Sequence, residues 1–318
     1  MAELADAQDS GSCVRKDVGV QVPPRPLVRG DPEVLPEVSV VIPARDAAAT
    51  IGEQLCALAA QTFDGAWEVI VVDDASTDGT AQVAATWADR LPSIRVLTSV
   101  EARGVSSARN IGTKAARADL VAYCDADDVV STRWLAGLAF ALNKNSLATG
   151  PIDLSRLNPP GLYAWPRVSE WQELPRWMGY LNTVMGANMA VRRKTFDLVG
   201  GFDETLANGE DNDFAFNVQL AGGTVGFAPD AVVHYRMRRG WSYFRRHFDY
   251  GSGQVELYRR FRRRGMPSRR LRGLVWLAGA GLTAPLVLIP RFRYWWMAGA
   301  GSALGRLAGS VYHRVLYP

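Results

Sequence analysis

Between residues 38 and 142, short apolar runs alternate with segments of helical pattern four times, and this alternation limits the possible folds more than any other feature of the chain. The runs are Val38–Ile42, Glu68–Val72, Ile94–Leu97 and Leu120–Tyr123. Each is short, rich in β-branched or apolar residues and closed by polar residues or proline, the pattern of a buried strand. After the first run, Ile51, Leu55 and Leu58 recur at helical spacing, and Thr50 with Glu53 predicts a capping box. Val83, Ala84 and Trp87 mark a second helix, Arg103–Gly112 reads as a turn entering a third, and a fourth runs from about Ser131 to Leu142. The alternation predicts an α/β fold with a mostly parallel sheet and helices on both faces. Polar loops then gather at the C-terminal edge of the sheet, where such folds bind ligands.

One of those loops carries three carboxylates within four positions, Asp125, Asp127 and Asp128, directly after the fourth run. Asp125 and Asp127 have the spacing to face one hard cation, Mg²⁺ or Mn²⁺, which takes oxygen ligands and keeps water or phosphate in its remaining positions. The alternative is an acidic surface turn with some helix capping. No GxGxxG follows the first run and no GxxxxGK[ST] occurs, so dinucleotide-binding and P-loop readings lack their phosphate cradle.

Later segments are less regular. Residues 1–36 are proline-rich and aperiodic and read as a flexible N-terminal segment. Residues 150–182 read as a long functional connection, in which Trp165, Trp171 and Trp177 either form a stacking wall for a ligand or simply pack. Glu210-Asp211-Asn212-Asp213 opens a helix ended by Gly222-Gly223, and acidic residues suit a helix N-terminus whatever else they do. A strand over Thr224–Phe227 precedes Ala231–Arg236, which contains His234. Cys13, Cys56 and Cys124 are scattered, with neither metal spacing nor a disulfide framework, which fits a reducing cytosol. The first residues have neither a basic nor an apolar signal region, so no secretion signal is expected.

Taken in order, these stretches resemble a family 2 glycosyltransferase with the GT-A fold, a Rossmann-like, mostly parallel sheet flanked by helices. The resemblance covers roughly residues 37–236 and rests on Val38–Asp46, Val71–Thr80, Gly104 with Arg109-Asn110 and Gly112, Asp125–Asp128, Gly200–Glu204 and Glu210–Asp213. It implies a metal-dependent, inverting transfer from a nucleoside-diphosphate sugar (UDP- or GDP-linked) to an acceptor hydroxyl. Pro43, Ala44 and Asp46 would line the nucleotide pocket, Asp74 would contact the base with Asp73 beside it, and Arg103 or Arg109 would reach the base or diphosphate. Asp125 and Asp127 match the DxD motif that holds the metal and diphosphate, with Asp128 as the replacement for either. Asp211 matches the catalytic base, with Glu210 the alternative, and His234 is either a further metal ligand or a core residue. A sugar-phosphate nucleotidyltransferase would place a Gly-rich loop with a lysine where this chain has Ala44–Ala49; a glycosidase needs no nucleotide pocket. An inactive sugar-nucleotide-binding protein has no need of both acidic pairs.

Net charge is +4, concentrated between Arg236 and Arg272, which suggests a polyanionic partner. Residues 237–272 read as a basic helical linker and 273–318 as apolar, membrane-associating helices, the apolar stretch Gly273–Pro290 being interrupted by Pro285. If both apolar stretches crossed the bilayer, Arg291 and Arg293 would lie on the far side, so an interfacial or re-entrant arrangement is expected. The expected partner is an anionic surface at the cytoplasmic face of the cell membrane, not nucleic acid, since no recognition motif accompanies the arginines. Processive synthases carry Gln-x-x-Arg-Trp; here Gln172 and Arg176-Trp177 are misspaced and precede the acidic pair, so a single transfer to a lipid-linked or cell-surface glycan is expected.

Overall fold

The four apolar runs become strands of one sheet: β1 (Val38–Ala44), β2 (Trp67–Asp73), β3 (Ile94–Thr98) and β4 (Leu120–Tyr123). The computed structural model describes residues 35–101, 103–159, 173–268, 279 and 281–317. Trp165, Trp171, almost all of the N-terminal segment, the arginines 269, 270 and 272 and much of the apolar stretch after them lie outside the described residues. The four strands pair in parallel, in the order β3-β2-β1-β4. Every residue of β2 is buried, which is why its sequence is unbroken in apolar residues from Val69 to Val72. Its one charged residue before the last position, Glu68, accepts from Ser39 Oγ (2.8 Å) and Arg117 N (2.8 Å) and pairs with Arg95 and Arg117.

The sheet is mixed beyond β4. Strands β5 (Val129–Val130), β6 (Leu147–Thr149), β7 (Ile152–Asp153), β8 (Met189–Arg192), β9 (Val225–Phe227) and β10 (Val233–His234) follow. β8 runs antiparallel between β4 and β6, and β9 closes the seven-stranded order β3-β2-β1-β4-β8-β6-β9. The sheet is thus mostly parallel, as expected: β8 alone runs against both of its neighbours, and β6 and β9 pair in parallel again. β5, β10 and β7 form a separate three-stranded sheet.

Helices α1 (Ile51–Ala59), α2 (Thr80–Ala85), α3 (Val105–Ala115) and α4 (Trp134–Leu142) connect the early strands. Gly112 lets α3 lie on the sheet, since a Cβ there would run into Val41. The expected capping box does not form: Thr50 makes no side-chain cap, and Glu53 instead accepts from Arg236 at 2.6 Å. A long-range guanidinium has taken the carboxylate the local pattern assigned to the helix end. Cys124 is a buried free thiol, while Cys56 is disulfide-bonded, against the expectation that the cysteines form no disulfide framework.

The later helices are α5 (Arg193–Val199), α6 (Glu210–Leu220), α7 (Trp241–Phe261) and α8 (Pro290–Tyr312). α7 and α8 run parallel: Tyr243 meets Tyr294, Gly251 meets Ser302, Ser252 meets Gly309, and Glu256 meets His313 at 2.9 Å. Their backbones nearly touch at Gly251, Gly301 and Gly305; a Cβ at Gly305 would enter the carbonyl oxygen of Phe248. The far end of α7 packs on α6, with Phe261 edge-on to Phe216 at 5.3 Å and Leu257 against Gly209. No described helix is long and apolar enough to cross a membrane.

Candidate functional site

The C-terminal ends of β1, β2 and β4 deliver three loops to one edge of the sheet. In the first, Asp46 adopts a left-handed backbone (φ 48°), and its Oδ1 accepts from Thr77 N at 2.8 Å. Its own N–H donates to Ser76 Oγ, so the loops after β1 and β2 are stitched together. Pro43 lies within the strand opposite Val72, and the Ala44 carbonyl accepts from Asp74 N. Asp73 accepts from Ser76 N at 3.2 Å. Asp74 is buried, and its two oxygens accept from the Arg103 and Gly104 amides at 2.8 and 2.9 Å. It thus fixes the entry to α3, whereas Arg103 itself is exposed.

The loop after β4 brings Asp125, Asp127 and Asp128 together, with one carboxylate oxygen from each inside 4.8 Å. Burial and the neighbouring carboxylates push the Asp127 and Asp128 carboxyls above their ordinary range. Asp128 Oδ1 accepts from Arg236 N at 2.7 Å, while its Oδ2 is buried with no hydrogen-bond partner among the described residues. Three converging carboxylates with mutual repulsion and an orphaned buried oxygen are the donor set a hard divalent cation requires. Asp125, Asp127 and Asp128 therefore fit Mg²⁺ or Mn²⁺. His234 sits one strand away, opposite Val129, with Nδ1 2.5 Å from Asp153 Oδ2; it is not part of the three-carboxylate cluster.

Opposite this cluster, α6 begins at Glu210 after a left-handed Gly209. The Asp211 carboxylate accepts from Gly186 N (3.1 Å), Asn212 N (2.7 Å) and Asn212 Nδ2 (2.9 Å). Burial, and then the charge of Glu210, raise its carboxyl to about 6. That is the range in which a carboxylate exchanges a proton near neutral pH.

Arg109 joins the two halves. The guanidinium, 2 % exposed, donates to Glu210 Oε1 at 2.8 Å and to Asp125 Oδ1 at 3.1 Å, and lies over the Phe202 ring. A Cβ on Gly186 would collide with it. Its neighbour Asn110 donates to Phe202 O and accepts from Phe202 N, which pins the loop after α5 to α3. Two residues escaped the sequence reading. Arg236 holds the acidic loop through Asp128 Oδ1 and Asp127 O, and Asn188 bonds Trp134, Pro151 and Ala231 beneath it. The single available signal was an arginine directly after a strand, at the head of the basic region; for Asn188 there was none.

This chain matches the family model described as glycosyl transferase family 2 over residues 39–198, and that for glycosyl transferase family group 2 over residues 120–309. It is 26 % identical over 227 residues to glycosyltransferase AglE of Haloferax volcanii, covering 70 % of this chain and 75 % of that one. It is 29 % identical over 289 residues to the pre-mycofactocin glycosyltransferase of Mycobacterium tuberculosis, covering 86 % of this chain but 55 % of that one. Among solved structures it is similar in fold to the mannosyltransferase PcManGT from Pyrobaculum calidifontis, solved with GDP-Man and Mn²⁺, with TM-score 0.63, 22 % identity and 90 % of each chain covered.

Proposed function

The chain belongs to glycosyl transferase family 2 and has the GT-A fold, and from that premise we propose that it moves a sugar from a UDP- or GDP-sugar to the hydroxyl of a glycan or lipid-linked acceptor, with inversion. The observation that carries this reading is the pairing of a three-carboxylate cluster with a separate, high-pKa carboxylate, Asp211, across one buried arginine. The nucleotide end of the donor belongs with the loops after β1 and β2, where Pro43, Ala44, Asp46, Asp73 and Asp74 converge. Asp74 acts there by holding the backbone of Arg103 and Gly104 in place.

Asp125 and Asp127, with Asp128 behind them, would hold a divalent cation, while His234, paired with Asp153, lies outside that donor set. When bound, such an ion supplies Lewis-acid neutralisation of charge on a departing diphosphate. The chain's own residues do the rest. Asp211 takes the proton of the acceptor hydroxyl, a poor nucleophile until it is deprotonated. Burial and the charge of Glu210 keep Asp211 basic, and Arg109, paired with Glu210, offsets part of that rise. Arg109 restrains Asp125 so that the two carboxylate sets keep their spacing.

Residues 37–236 would form the catalytic unit, with 237–272 and 273–318 holding it to an anionic membrane surface at the cytoplasmic face. The chain lacks the Gln-x-x-Arg-Trp motif after the acidic pair, which favours one transfer per encounter. Calorimetric titration with UDP, GDP and other nucleoside diphosphates tests the reading. One of them should bind in a Mn²⁺- or Mg²⁺-dependent way, and Asp127→Ala should abolish that dependence. Absence of binding to every nucleoside diphosphate, with either ion, would overturn it.

A further inference from the structure

The basic residues of the C-terminal region are not equivalent. Arg259 and Arg260 are consumed internally: both pair with Glu256, and Arg260 also reaches Asp203 at 2.5 Å. At the other end of the helix pair the situation reverses. Because α7 and α8 run parallel, their N-termini start side by side, with Gly240 N 3.5 Å from Tyr294 Oη and the Tyr243 and Tyr294 rings edge-on at 5.1 Å. Around this common end Arg239, Arg245 and Arg293 are exposed. Interleaved with them are Trp241 (70 % exposed) and Leu288 (77 %), the latter beside Val287, whose carbonyl accepts from Arg293. After Arg236 the whole chain has only two acidic residues, Asp249 and Glu256.

We infer that this shared N-terminal end of α7 and α8 is the surface on which the protein seats on a bilayer of anionic lipid. The inference rests on the membrane-surface reading above and specifies the contact. Large apolar side chains held out in water beside arginines match the interface between headgroup and acyl chain, where the former enter and the latter meet phosphate. A partner of protein chemistry would bury such side chains without needing uniform positive charge. The same end is continuous with the catalytic edge: Arg236, five residues before α7, binds the backbone and carboxylate of the acidic loop. Seating this end on lipid brings the acidic cluster towards the headgroup layer, where a lipid-linked acceptor presents its hydroxyl.

Vesicle flotation of the full chain tests this. Phosphatidylcholine vesicles should leave the protein in solution, whereas vesicles containing phosphatidylglycerol should carry it up, less so at high salt. Arg239→Gln and Arg245→Gln should each weaken partitioning about five-fold, and Trp241→Ser or Leu288→Ser should weaken it with the salt dependence unchanged. Arg263→Gln, at the opposite end, should have no effect. Equal flotation on both vesicle types, equal loss from Arg263→Gln, or Trp241→Ser converting a dimer to a monomer in light scattering would each overturn the assignment. Unchanged melting of the variants separates these outcomes from misfolding. Nucleoside-diphosphate titration of the same preparations reads the transferase proposal separately, so either can fail alone.

Discussion

At the scale of single residues, the proposed chemistry turns on Asp211 and Arg109. Replacing Asp211 by Asn should cut turnover by about 10²–10⁴-fold, the range a positioned general base contributes, while nucleoside-diphosphate binding measured by calorimetry persists. In the wild type, kcat/KM should climb through pH 6 and level above it if Asp211 is the base proposed here, since its carboxyl is raised to about 6 and must lose its proton to act. The stability effect has the opposite sign. A carboxyl raised on folding favours the protonated native state, so stability drawn from that proton is lost as pH rises through about 6. Asp211→Asn should therefore melt no lower than wild type at pH 8, as differential scanning calorimetry would read. Arg109→Ala leaves Asp125 and Glu210 without their shared counter-charge and should destabilise by about 3–5 kcal/mol in denaturant titration. The acidic residues were legible because three carboxylates in four positions are rare and fall at a strand end. The role of Arg109 was not: its partners are 16 and 101 positions away, and no local pattern encodes them.

Among the elements, α7 does more than link. Its Arg260 reaches Asp203 and Asp213, and so fastens the loop after α5 and the first turn of α6 to the C-terminal helices. The side-chain bonds of Thr205 and Arg260 hold the Asp203 carboxyl down at about 2, against the effect of burial, which raises it. A carboxyl lowered on folding contributes stability that is present above about pH 4 and lost as pH falls towards 2. Arg260→Gln should cost about 1–2 kcal/mol at pH 7, allowing for partial exposure, and the difference should vanish towards pH 2 in urea titrations. Gly305→Leu should part α8 from α7 and lower the melting temperature, since a side chain there meets the Phe248 carbonyl. β1 to β4 were readable because each is a run of apolar residues bounded by breakers. β8 was not, since Met189–Arg192 is four residues with no alternation, and its place between β4 and β6 is decided by long-range pairing. The capping box misled for the same reason: Glu53 has a better partner in Arg236, 183 positions away.

For the whole molecule, α7 and α8 are structurally part of the body that carries the site. A chain ending at Arg239 would lose the Phe261 contact on Phe216 and the Arg260 ties, and should show a lowered melting temperature and weakened proton transfer through a looser α6. The position of β8 also has a consequence in time, as the chain is made from its N-terminus. The first 142 residues hold all the parts of the parallel half, β3-β2-β1-β4, and local strand–helix contacts allow it to form early. Until Met189–Arg192 has been synthesised, however, β4 is an open edge, with unpaired amides and carbonyls available to any other strand. The start of α6 then waits for Arg260, and Glu256 waits for His313, 57 residues further on. A nascent chain stalled before residue 189 should therefore be the species most in need of a chaperone, and one stalled before Arg260 should be folded at its nucleotide side yet silent in transfer.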